Sequence, residues 1–116
     1  MQITFENQSL HEIFQRVSRV MNAHQEPLED INAVFQFEIS GEQRGVYQLI
    51  LQDGKANVAE GAADETECTL IMNYNDFKEL LSGRLNSTTA YMMGRLKVKG
   101  SLGFALRLES ILKQYR

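Results

Sequence analysis

At 116 residues, 43% hydrophobic and 23% charged, the chain is long enough to bury one core and too apolar for a disordered segment. One cysteine, Cys68, excludes an internal disulfide, and no apolar run approaches the ~20 residues that a membrane-spanning helix needs. The formal net charge of -3 is modest, and residues 1–6 lack a basic stretch followed by an apolar one, so no secretory leader is predicted and a cytoplasmic location is expected.

The first predicted element is a helix. Ser9-Leu10-His11-Glu12 reads as a capping box, and Leu10, Ile13, Phe14, Val17, Val20 and Met21 follow at helical spacing. Pro27 blocks simple continuation, and a short helical turn is expected within residues 28–34. Phe35, Phe37 and Ile39 then alternate with polar residues, as do Tyr47, Leu49 and Leu51 after a polar turn. Asp53-Gly54 is a tight-turn signal, and residues 56–60 return as a third strand. The three runs read as an antiparallel meander with one packed face.

Residues 61–67 form a polar connection to a more apolar fourth strand over residues 68–72, expected to lie more centrally. Asn73 or Asn75 can cap the next helix, which carries Tyr74, Phe77, Leu80 and Leu81 and stops at Gly83. A short helix over residues 88–93 stops at Gly94, and Leu96 and Val98 alternate with Arg95, Lys97 and Lys99 in a fifth strand ended by Gly100. The last helix carries Leu102, Ala105, Leu108 and Leu112, flanked by Phe104, Ile111 and Tyr115, so its apolar face is wide. Helices with a largely antiparallel sheet make an α+β fold, and residues 1–116 are expected to form one domain.

Charge is unevenly distributed. Residues 1–83 hold 14 acidic and 5 basic side chains, whereas residues 84–116 hold 1 acidic and 7 basic ones: Arg84, Arg95, Lys97, Lys99, Arg107, Lys113 and Arg116. Such a set can meet an anionic partner or simply solvate one face. Nucleic acid is not expected, because aromatic residues do not interleave with the basic ones.

Catalytic and metal chemistry find little support. His11 and His24 stand 13 residues apart outside any ligand spacing, and Cys68 has no nearby histidine in sequence. Glu29-Asp30 and Asp64-Glu65 read as solvated loop charges, and no glycine pattern matches a phosphate loop. Neither a cofactor nor an enzymatic activity is expected. What stands out is a surplus of large flexible apolar residues in the second half, which either fills a solid core or lines an adaptable pocket.

Several short motifs, taken in order, carry a family resemblance, and it is that resemblance that implies the pocket. Cys68-Thr69-Leu70-Ile71-Met72, Asp76-Phe77, Leu80, Gly83-Arg84-Leu85-Asn86, Ala90-Tyr91-Met92 and Gly94-Arg95-Leu96-Lys97-Val98-Lys99-Gly100 occur in the order seen in sterol carrier protein type 2 domains, which the chain resembles over about residues 30–112. Ser87 departs from the proline common after Asn86, and Ser101 from the Asp or Asn common after Gly100; the family's C-terminal peroxisomal address is not matched. The resemblance implies a five-stranded, mainly antiparallel sheet with a crossover, helices over one face, and an apolar tunnel between them for fatty acid, acyl-CoA, phospholipid or sterol. The expected lining is Phe77, Leu81, Tyr91, Met92, Met93, Phe104, Leu108 and Leu112, with Phe37 and Leu49 as a sheet-side floor. Tyr91 either places its hydroxyl near a headgroup or packs as an ordinary tyrosine. Two roles stay open: a non-catalytic lipid carrier, with transient contact at an anionic membrane, or an accessory module for a lipid- or quinone-pathway enzyme. A protein partner or a homodimer also stays open.

Overall fold

The computed structural model describes residues 8–115; the opening stretch read for a leader, and the last basic residue, Arg116, lie outside them. Helix α1 (Leu10–Ala23) begins on the expected capping box: the Ser9 amide donates to Glu12 Oε1 at 2.9 Å, and the Glu12 amide donates to Ser9 Oγ at 3.2 Å. All six residues of its predicted apolar stripe are buried. The expected turn within residues 28–34 falls earlier, as one 3-10 turn over Glu26–Leu28, with Pro27 in its opening positions where its missing N–H costs nothing. Val34 belongs instead to the first strand.

Strands β1 (Ala33–Ser40), β2 (Gly45–Gln52) and β3 (Lys55–Glu60) form the meander. Asp53 and Gly54, at φ 53° and 76°, supply the two positive φ angles that a tight type I′ hairpin turn requires. Strand β4 (Cys68–Asn73) pairs in parallel with β1, and β5 (Lys97–Gly100) pairs antiparallel with β4. The sheet order is β3-β2-β1-β4-β5, so β4 is interior as expected and the link from β3 to β4 is the crossover.

Alternation along each strand decides which face is covered. Phe35, Phe37, Ile39, Tyr47, Leu49, Leu51, Leu70 and Met72 point to one side and are buried there. Helix α1, α2 (Tyr74–Leu81) and α4 (Leu102–Lys113) lie over that side: Phe14 stacks on Tyr47 and Phe77 and meets Phe37, while Phe104 meets the edge of Phe35. The opposite face is mostly wet, with Gln48 an exception. The segment of residues 61–67 crosses it, so that Gln48 Nε2 donates to the Asp64 carbonyl at 2.8 Å and to Gln36 Oε1 at 3.0 Å. Its Oε1 accepts from the Asp64 amide, so this buried amide has partners for both ends.

Helix α3 (Ser87–Met92) and β5 follow α2. Asn86 caps α3 through its side chain, and Gly94 at φ +77° closes it, with the amides of Arg95 and Leu96 both donating to the Ala90 carbonyl. This closure uses Arg95 and Leu96, so β5 starts at Lys97 and is shorter than the sequence alternation suggested.

Candidate functional site

The expected lining separates into two sets. Phe37, Leu49, Phe77, Leu81, Leu108 and Leu112 are all buried in the layer between sheet and helices. Phe37 and Phe77 face each other at 5.5 Å between ring centroids, edge to face, which joins the sheet floor to α2. Phe104 sits at the margin of this layer, partly buried, with the Arg107 guanidinium 5.7 Å from its ring centroid.

Tyr91, Met92 and Met93 lie elsewhere: they are 45%, 79% and 66% exposed. The expectation of an interior position for these three is corrected, and helix geometry explains why. In α3 the inner side is occupied by Ser87 and Ala90, three residues apart, and the helix has only six residues. Its last turn therefore faces outward.

Sequence reasoning missed part of the layer. Phe14 is its centre, stacked at 4.5 Å on Tyr47 and 5.1 Å on Phe77. The signal was present in the α1 stripe, but nothing in spacing alone says that α1 and α2 share one face of the sheet. Leu102 and Leu106, both 39% exposed, extend the apolar side of α4 to the surface, and Leu106 borders a groove of about 380 Å³ together with Pro27, Arg107 and Ile111. Arg107 Nη2 donates to the Asp30 carbonyl at 2.8 Å and ties α4 to the chain ahead of β1.

A second opening, of about 430 Å³, is polar. Buried Asp76 on α2 and Arg95 after α3 form an ion pair at its wall, with Arg84 and Glu79 beside them. The pair fastens α2 to the α3–β5 link. Burial pushes the Cys68 thiol up to about 11, so it stays neutral and unreactive at ordinary pH. Among the described residues, no group of three or more His, Cys, Asp or Glu side chains is placed to hold a metal ion. No helix among them is long and apolar enough to cross a membrane.

A five-stranded sheet with helices on one face and an apolar layer between them defines a small α+β domain whose interior suits apolar matter more than polar chemistry. The chain belongs to the SCP-2 sterol transfer family, whose model matches residues 12–113. It is 35% identical over 106 residues to the hydroxysteroid dehydrogenase-like protein 2 of Xenopus tropicalis, covering 90% of this chain and 25% of that protein. The chain thus spans about a quarter of that relative's length. Among solved structures, sterol carrier protein 2 from Yarrowia lipolytica in its apo form superposes with a TM-score of 0.74 at 26% identity, over 89% of this chain and 88% of that one. The sterol carrier protein domain 2 of Helicoverpa armigera superposes with a TM-score of 0.76 at 21% identity, over 99% and 94%.

Proposed function

We propose that residues 1–116 act as one non-catalytic lipid-binding domain, taking a fatty acid, acyl-CoA, phospholipid or sterol-like molecule between the sheet and the later helices. The observation that carries this reading is the apolar layer itself. Phe37 and Leu49 line its sheet side, Phe77, Leu81, Leu108 and Leu112 its helix side, and Phe104 its margin. Membership of a sterol transfer family supports it. An acyl chain entering this layer gains ~0.8 kcal/mol per CH₂, less the cost of ordering the chain and of parting the side chains. A tail of about twelve carbons thereby reaches micromolar affinity with no fixed polar contact. A cytoplasmic setting belongs to the same reading, supported by the free, buried thiol of Cys68.

A second reading is an accessory module within a larger lipid- or quinone-pathway assembly, favoured by relatives four times as long as the matched segment. Native mass spectrometry of gently purified protein, then titration of delipidated protein with a fluorescent fatty acid, separates the two. The carrier reading expects a copurifying lipid and saturable binding, and Leu108→Trp, which fills the layer, should weaken binding while the far-ultraviolet spectrum is kept. No binding of long-chain lipid at concentrations on the order of tens of micromolar would leave the accessory role as the better account.

A further inference from the structure

The end of α3 presents an arrangement that neither the core nor the lipid layer uses. Tyr91, Met92 and Met93, at 45%, 79% and 66% exposure, are three consecutive large apolar side chains turned to solvent. Their position is built, because Asn86 caps the helix, Ser87 and Ala90 anchor its inner side, and Gly94 closes it with two hydrogen bonds to the Ala90 carbonyl. A side chain added at Gly94 would meet nothing within 4 Å, so the tip stands in open space.

The stretch of chain that carries the tip has one sign of charge, although Asp76 and Glu79 of α2 stand beside Arg95. No Asp or Glu occurs from residue 84 to residue 108, a stretch that holds Arg84, Arg95, Lys97, Lys99 and Arg107. Asp76 offsets Arg95, but among the described residues neither Lys97 nor Lys99 forms an ion pair. Both lysines are exposed on β5, an edge strand paired only with β4, and half-buried Val98 between them points to the core, so they share the other side of the strand. Lys97 follows Met93 by four residues, which keeps their backbones within roughly 14 Å.

We propose that Tyr91-Met92-Met93 is a docking tip for an anionic phospholipid bilayer, inserting among the headgroups while Lys97 and Lys99 meet the surface charge. Tyrosine is suited to the interface, methionine to irregular apolar surroundings, and lysine can lie along apolar matter with its ammonium in water. A protein partner fits less well: three side chains on a convex helix end form neither a groove nor the extended core that a stable interface needs. Docking places the domain where a carrier exchanges its lipid, and in that respect it rests on the carrier reading; the contact itself requires no bound lipid.

The chain has no tryptophan, so Met92→Trp adds a single fluorophore at the tip. With vesicles of phosphatidylcholine containing phosphatidylserine at low salt, its emission should shift to the blue. With phosphatidylcholine alone, or at about 0.5 M salt, where the screening length falls to a few Å, the shift should be largely lost. Met92→Ser with Met93→Ser, and separately Lys97→Gln with Lys99→Gln, should each lower cosedimentation with the anionic vesicles at least about tenfold. Fatty-acid binding by both variants should match that of the unsubstituted chain.

Unshifted emission while the protein still sediments, or sedimentation that ignores these substitutions, overturns the assignment. Failure to bind vesicles of any charge also overturns it and passes the patch to a protein partner. Vesicle binding without fatty-acid binding would leave the docking tip standing and remove the carrier reading; the reverse result would remove only the tip.

Discussion

At the scale of single residues, two glycines that look alike in sequence do different work. Gly94 and Gly100 both adopt positive φ, at +77° and +88°. Around Gly94 there is open space, whereas a Cβ at Gly100 would stand 2.6 Å from the Glu67 carbonyl oxygen and 3.3 Å from its carbon. That carbonyl accepts the Ser101 amide at 3.0 Å, so the turn from β5 into α4 is built against the start of β4 and cannot easily give way. Gly94→Ala should therefore cost only the left-handed backbone strain, about 1 kcal/mol. Gly100→Ala adds a backbone collision and should cost roughly 2–4 kcal/mol in total. Urea unfolding of the two variants checks the order; equal losses would mean that the close approach at Gly100 relaxes at little cost.

At the scale of elements, α3 is too short to be stable by itself and is held by its neighbours. The Ser87 amide, in its first turn, donates to Glu109 Oε1 on α4 at 2.6 Å, and Lys113 reaches Oε2 of the same carboxylate at 2.9 Å. Burial alone would raise the Glu109 carboxyl; the hydrogen bonds from Ser87 and Lys113 outweigh it and hold the group below 4.5. A carboxyl lowered by folding stabilises the protein above its unfolded value and loses that contribution as pH falls through the folded one. Glu109→Gln keeps an acceptor for Ser87 but not the charge. The unsubstituted chain should accordingly exceed it by up to about 1 kcal/mol near pH 7, a modest figure because solvent screens the pair. The difference should shrink below pH 4.5 and vanish in stronger acid. Stability curves of both proteins at several pH values check this, and a gap that grows on acidification would contradict it. The elements themselves were largely legible in the sequence, because their ends carry specific chemistry: Ser9 and Glu12, Asp53-Gly54, Asn73, Gly94. The misses had local causes. Pro27 pulled a turn earlier, and closure of α3 onto the Ala90 carbonyl consumed two residues read as strand.

For the whole molecule, sequence pattern indicated which side of each strand is buried but not which helices meet over it. Phe14 and Phe77 are 63 positions apart and stack at 5.1 Å, a contact no periodicity announces; conversely, Tyr91, Met92 and Met93 have core-like composition and stand at the surface. The sheet, α1, α2 and α4 share one buried cluster, so a lipid held within it should stabilise the entire fold. Binding to the folded state alone adds about 2.7 kcal/mol when free ligand is one hundred times its dissociation constant. For a chain of this size that corresponds to a rise in melting temperature of about 10 °C. Since affinity grows with buried CH₂, delipidated protein at fixed ligand concentration should melt progressively higher with fatty acids of eight, twelve and sixteen carbons. The rise should be blunted in Leu108→Trp, whose layer is already filled, and kept in the Met92→Ser, Met93→Ser variant, whose change lies at the surface. A melting temperature that ignores chain length would show that lipid does not enter the layer. Stabilisation that disappears with the two surface methionines would place the ligand on the tip of α3 instead.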